Sequence, residues 1–178
     1  PSSEGVHLVG NAAANGIYGS WHDDILAGGG GDDHIEDSYS AIGWTYAQDT
    51  DLMYGGEGND VLVSLRGNDT LWGDAGNDVL QAGQSGLKQM HGGSGDDTYR
   101  IQAGGAAVVS EDVSNYSGHD VLVLESGFLP ESVSLHRDQD DLIISNAAGE
   151  RTVVIDGFYT GNSTLGWAID EIRFTDSP

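Results

Sequence analysis

Large apolar side chains recur at every ninth residue over the first half of the chain, each set between small or polar neighbours. In register they read Ile17, Leu26, Ile35, Trp44, Met53, Leu62, Leu71 and Leu80. Two residues ahead of each, a second series runs in phase: Asn15, Asp24, Asp33, Ile42, Asp51, Asp60, Asp69 and Asp78. Glycines hold the first, second and fourth places of the clearest units. These are Gly55-Gly-Glu-Gly-Asn-Asp60-Val-Leu62-Val63 and Gly73-Asp-Ala-Gly-Asn-Asp78-Val-Leu80-Gln81, where Asp74 takes the second place; after a one-residue slip beyond Gln81 the series closes on Gly92-Gly-Ser-Gly-Asp-Asp97-Thr-Tyr99-Arg100. A fixed short period is the mark of a stacked repeat architecture. Each unit predicts a glycine turn followed by a three-residue strand whose middle, apolar member faces a thin core.

The pattern changes from about Tyr99. Short β-rich runs take over at Ala107–Ser110, Asp120–Leu124, Ser132–His136, Asp141–Ser145, Arg151–Ile155 and Ala168–Phe174, with a hairpin turn expected at Ala147–Glu150. Helix signals are weak throughout, so the fold class is all-β. Residues 37–54 span two repeat lengths but have lost most of their glycines. They read either as two degenerate turns, with Trp44 filling the core, or as a protruding loop that carries Tyr39, Trp44 and Tyr46. The expected organisation is a lead-in at 1–9, a repeat region at 10–100 interrupted by 37–54, and a β-rich region at 101–178. The abrupt start and stop of the chain predicts a piece of something longer.

Charge then narrows the chemistry. The 178 residues carry a formal net charge of −23, from 29 acidic residues against 6 Lys and Arg. A compact state with that excess repels itself unless counter-ions join the structure. The in-phase apolar positions argue against a disordered acidic tail. Nucleic acid and insertion into an anionic membrane are excluded as partners, because both need clustered basic residues. There is no cysteine, so neither disulfides nor thiolate metal sites can staple a fold with one large apolar side chain per nine residues. Glycines that permit positive φ turn carbonyls inward, and the sixth-position Asp adds a carboxylate. Together they offer the hard oxygen donors that calcium takes in flexible geometry. Folding and metal binding are then coupled.

These units resemble the nonapeptide Gly-Gly-x-Gly-x-Asp-x-apolar-x of the RTX (repeats-in-toxin) calcium-binding proteins, over roughly residues 10–100. The resemblance implies a right-handed parallel β-roll of two short-stranded sheets, each nonapeptide making half a turn. Calcium would lie between loops two units apart on one edge. Carried over, one edge stacks Asp33, Asp51 and Asp69, and the other Asp60, Asp78 and Asp97. Neighbouring pairs imply about four ions. The expected carbonyl donors include Gly29, Gly31, Gly56, Gly58, Gly73, Ala75, Gly76, Gly92 and Ser94. Ile42 is expected to cost Asp24 its partner, and the slot from Ala82 to His91 lacks a sixth-position Asp. Leu65 and Asp74 stand where second-position glycines are expected.

Residues 101–178 resemble the haemolysin-type calcium-binding-related domain, through Asp140-Asp-Leu-Ile-Ile144, Val154-Ile-Asp-Gly-Phe158 and Ile169-Asp-Glu-Ile-Arg-Phe-Thr-Asp176. That domain would extend and cap the roll.

Catalytic signals are absent. The six histidines have no close metal-ligand spacing, Gly-x-Ser-x-Gly does not occur, and no thiol is available. The chain therefore reads as a non-enzymatic calcium module that folds outside the cell, as part of a larger type I-secreted bacterial protein. The alternative is a calcium-dependent carbohydrate-binding or adhesive module of a polysaccharide-active enzyme or surface adhesin. A polysaccharide or cell-surface glycan would then be held by Trp21, Tyr39, Trp44 and Tyr46. A third possibility is a fragment of an enzyme whose catalytic domain lies elsewhere.

Overall fold

The computed structural model describes residues 4–37, 49–111, 118–125, 127–159 and 169–175. Its strands alternate between two sheets. The first sheet takes β1 (His7–Val9), β3 (Ile25–Gly30), β5 (Leu52–Glu57), β7 (Thr70–Ala75), β9 (Leu87–Ser94) and β11 (Ala106–Val109). The second takes β2 (Gly16–Tyr18), β4 (His34–Glu36), β6 (Val61–Ser64), β8 (Val79–Ala82), β10 (Thr98–Ile101) and β12 (Val121–Leu124). Every pairing among these strands is parallel. Successive strands joined by short turns and delivered to opposite sheets make a parallel β-roll.

The register puts the periodic apolar residues on top of one another. Leu26, Met53, Leu71 and Met90 align across the first sheet. Ile17, Ile35, Leu62, Leu80, Tyr99 and Leu122 align across the second. Both files are buried in a single hydrophobic cluster. A one-residue slip would turn every one of these side chains to the outside, so the pairing is strongly specified.

Both sheets run on past residue 100. β15 (Arg151–Ile155) joins β11 in parallel, and β16 (Glu171–Phe174) joins β12. Then β14 (Asp141–Ser145) and β13 (Ser134–Asp138) add antiparallel strands to the first sheet. Ile144, Val153, Ile155 and Ile169 belong to the same cluster as Leu26 and Leu62. The C-terminal third thus extends one continuous core. Its irregular pieces among the described residues are a 3₁₀ turn at Pro130–Ser132 and the hairpin closed by Asn146–Glu150.

Two departures from strict periodicity are resolved. The slip after Gln81 is absorbed between Gly83 and Gly86: Ser64 aligns with Ala82, 18 residues on, whereas the Leu87 amide bonds Asn68 Oδ1, 19 residues back. The second is larger. Asp24 and Asp51 are neighbours in the stack although 27 residues apart, where the ordinary full turn takes 18. One nonapeptide's length is therefore added between β4 and β5 without adding a strand to either sheet. Tyr39, Trp44, Tyr46 and Ile42 lie in that addition, outside the described residues.

Candidate metal centre

The turns that leave the first sheet for the second form one edge of the roll, here called the Asp33 edge. They are residues 10–15, 28–33, 55–60, 73–78 and 92–97, followed by the turn that ends at Asp120. Second-position residues adopt positive φ: Gly29 at 105°, Gly56 at 111°, Gly93 at 106°. Asp74 does so at 73°, a strained backbone for a residue with a Cβ. The first-position glycines are needed for a different reason, close approach. A Cβ on Gly55 would collide with Asp60 Oδ2 and lie 2.6 Å from the Gly73 carbonyl oxygen.

A single relation repeats along this edge. Asp60 Oδ1 accepts the backbone N–H of Asp33 (2.7 Å), Asp78 Oδ1 that of Asp60 (2.7 Å), and Asp97 Oδ1 that of Asp78 (2.8 Å). Asp120 Oδ1 then accepts the N–H of Asp97 (2.9 Å), and Asp170 Oδ2 that of Asp120 (2.9 Å). The other oxygen of Asp33, Asp60, Asp78 and Asp97 is buried and has no hydrogen-bond partner. These residues are at most 2% exposed. A buried carboxylate oxygen without a donor is costly. A file of them, those of Asp33, Asp60 and Asp78 beside main-chain carbonyls, is a set of half-built cation sites.

The opposite edge, here the Asp51 edge, carries the turns that lead into the first sheet. Asp51 Oδ1 accepts the Asp24 N–H (2.7 Å) and Asp69 Oδ1 the Asp51 N–H (2.8 Å). The expected grouping of Asp33 with Asp51 and Asp69 is therefore corrected: Asp33 stacks with Asp60, Asp78 and Asp97, and Asp24 takes its place beside Asp51. The cause is the 37–51 connection, nine residues longer than the equivalent stretches 19–24 and 64–69. For the same reason Asp24 keeps its partner. Counting residues could not reveal this, because nine extra residues preserve the phase while exchanging the edges.

The carbonyl donors expected from the sequence all lie in the Asp33-edge turns. The carbonyls of Gly73 and Gly92 lie beside the first-position glycines of the neighbouring turns, with Asp60 Oδ2 and Asp78 Oδ2. The carbonyls of Gly29, Gly31, Gly58 and Gly76 face the positive-φ glycines of the adjacent turn, where a Cβ would strike them. Gly56 is itself one of those glycines. Those of Ala75 and Ser94 already accept the N–H groups of Gly58 and Gly76 (2.8 Å each), leaving one lone pair apiece.

Burial shows in the acidities. Desolvation raises Asp51 from 3.8 to about 8, Asp78 to about 7 and Asp97 to about 6. It also raises Asp60, Asp69 and Asp120, and like charges along the file add to the effect at Asp60, Asp78, Asp97 and Asp120. Without a cation Asp51 and Asp78 hold protons near neutral pH. A bound dication replaces the lost hydration and keeps them ionised.

Sequence reasoning missed three participants. Asp120 continues the Asp33 edge, and the signal was present in Gly118-His-Asp120-Val-Leu122, the second half of a repeat. Asp37 is buried on the Asp51 edge, at a position where a glycine was expected. Lys88 stands opposite Asp69 in the stack, at the sixth position of the slipped unit. Its side chain is fully buried, donates to the carbonyls of Gly67 (2.8 Å) and Ser85 (2.7 Å), and lies 3.6 Å from Asp69 Oδ2. Asp69 Oδ2 also accepts the Ser64 hydroxyl. An ammonium thus sits among carbonyls and a carboxylate, the kind of donors that elsewhere await a metal.

Among the aromatic candidates, Trp21 is 61% exposed in a turn of the Asp51 edge. Trp72 is stacked between Tyr54 (4.6 Å, 3°) and His91 (5.6 Å, 11°) on the outside of the first sheet, so its ring faces are already covered.

Parallel strands, positive-φ turns and files of buried, half-satisfied aspartates define a calcium-binding β-roll. Residues 7–35 and 49–84 match the family model of the RTX calcium-binding nonapeptide repeat, in four copies. The chain carries RTX repeats, and its roll binds several calcium ions through them. The gap in the match falls on the long connection between β4 and β5, and its end on the slip after Gly83. No curated protein matches the chain.

Proposed function

We propose that this chain is a folding and stabilising module of a larger, type I-secreted bacterial protein, and that it catalyses no reaction itself. The observation that carries the reading is the file of unpartnered oxygens on Asp33, Asp60, Asp78 and Asp97. A chain with these groups and a −23 charge opposes its own collapse where calcium is scarce and closes into a roll where calcium is plentiful. RTX repeats are typical of extracellular bacterial proteins. No helix among the described residues is long and apolar enough to cross a membrane. Residues 101–178 extend and cap the roll in this reading, in keeping with their likeness to the haemolysin-type related domain. About four ions, held by the aspartates and by carbonyls drawn from the nine residues named above, complete the sites. Circular dichroism tests the coupling. Excess chelator should abolish most of the β signal and calcium restore it; a spectrum indifferent to chelation refutes the mechanism.

A second reading, a calcium-dependent glycan-binding or adhesive module, draws on the exposed Trp21 ring, which shares its edge with the connection carrying Tyr39, Trp44 and Tyr46. A glycan array probed with and without calcium decides it, absence of any binding leaving the structural role alone.

A further inference from the structure

The Asp51 edge contains a group that the nonapeptide does not supply. After β2 and β4, and at the ends of β6 and β8, the chain enters this edge through Gly19, Asp37, Ser64 and Ala82, in equivalent places. The N–H groups of Gly19 and Asp37 donate to the carbonyls of Glu36 and Val63 in the neighbouring strands. The first position calls for glycine; Ser64 and Ala82 keep the side chain small there, and Gly19 complies. Asp37 does not, and its side chain is turned inward, 3% exposed.

Asp37 Oδ2 accepts the backbone N–H groups of Leu65 (2.7 Å) and Arg66 (3.2 Å). Its Oδ1 is buried with no hydrogen-bond partner, as is Oδ2 of Asp51. One carboxylate oxygen from each of Asp37, Asp51 and Asp69 lies within 4.8 Å of the others, and Asp51 and Asp69 are fully buried. Three carboxylates share one enclosed space. The nearest balancing charge is Lys88, whose ammonium reaches Asp69 and whose other two bonds go to carbonyls. Three negative charges against one positive leave a deficit of two. Burying that deficit uncompensated is prohibitive; protons relieve it in the metal-free roll, and one dication relieves it with all three carboxylates ionised.

We propose that Asp37, Asp51 and Asp69 form a calcium site distinct in composition from the repeat sites, with a third carboxylate, and that it is the tightest site of the chain and fills first. The inference rests on the calcium reading of the roll and goes beyond it in assigning a residue outside the repeat pattern. Ligand charge is a main determinant of calcium affinity in oxygen-lined loops. Asp37 and Asp51 also stand at the two ends of the connection that lengthens this edge. The ion therefore fastens together the residues where that connection leaves the roll and where it returns.

The test is calcium stoichiometry and stepwise affinity of the full chain, measured by native mass spectrometry and competitive chelator titration. Asp37→Asn retains an oxygen for the Leu65 and Arg66 amides and removes the charge. Asp37→Gly places there the residue found at Gly19, and stands in should the Asn variant fold poorly. Both should bind one ion fewer at limiting calcium, with the tightest step weakened by about tenfold or more. Asp78→Asn, on the other edge, should weaken later steps and leave the tightest one in place. If the Asp37 variants keep the wild-type number and tightest step while Asp78→Asn loses ions, the three-carboxylate site is wrong and the calcium roll stands. If no variant changes calcium binding, the calcium reading itself falls.

Discussion

Replacing Lys88 by methionine tests whether an internal ammonium does the work of a metal ion. The substitution keeps the length and much of the packing of a side chain with no exposed surface, and deletes three interactions: the bonds to Gly67 O and Ser85 O, and the 3.6 Å contact with Asp69. Removing one partner of a buried ion pair costs about 3–5 kcal/mol, because the remaining charge is stranded. The shared Ser64 hydroxyl on Asp69 places the expectation toward the lower end of that range. With a urea dependence of about 2 kcal/mol per molar, the calcium-loaded midpoint should fall by about 1.5–2 M. Lys88→Asp is the sharper variant. It recreates across β7 and β9 the relation that Asp51 and Asp69 hold across β5 and β7. It should be crippled at low calcium, recover at millimolar calcium, and bind one additional ion. A loss below about 1 kcal/mol for Lys88→Met, or a Lys88→Asp protein that calcium neither rescues nor loads further, would refute the substitution of ammonium for metal.

Two other outcomes follow from the carboxylate files. In the metal-free roll Asp51, Asp37, Asp78 and Asp97 have acidities raised from 3.8 to about 8, 7, 7 and 6, chiefly by burial. The folded form then binds more protons than the unfolded chain from roughly pH 4 to pH 8. Metal-free stability is accordingly greatest below that window and is lost as pH rises through it. In chelator, β structure measured by circular dichroism should be greater at pH 5 than at pH 8, whereas apparent calcium affinity should rise over the same interval as protons cease to compete. Asp120→Asn should retain the bond from the Asp97 amide but lower the thermal midpoint in calcium and not in chelator, by several degrees; equal shifts in both conditions would make Asp120 a structural residue only.

The roll was legible because its period is enforced at every step by sterics. A side chain at Gly55 or Gly76 would strike the neighbouring turn, and an apolar residue shifted by one would leave the core. The periodic glycines, aspartates and apolar residues therefore carry the fold openly, from Ile17 to Leu80 and again at Tyr99. What lies off the period was not legible. Asp33 was paired with Asp51 because a connection longer by one whole repeat leaves the phase intact and exchanges the edges. Only strand pairing distinguishes that case. Lys88 escaped notice because the residue inserted between Gly83 and Gly86 hides its sixth-position register. Asp37 escaped because an aspartate following a strand looks like any solvated turn residue until its burial is known.

Lys88, Asp37 and the long connection that misled the pairing all belong to the Asp51 edge, and charge explains why. Along the Asp33 edge the unit is nearly uniform: each aspartate has one oxygen tied to a backbone N–H and one left for a cation. Such a file can be lengthened by adding identical turns, each bringing its own carboxylate and its own ion. The Asp51 edge cannot continue in that way, since its turns include the long connection and a slipped loop that offers no sixth-position acid. Lys88 ends the file by bringing a covalently attached cation to the last carboxylate. Asp37 restores the negative charge that this lysine neutralises, so that a dication is still required where the connection rejoins the roll. The irregular edge thus keeps its dependence on calcium through a compensating pair of exceptions.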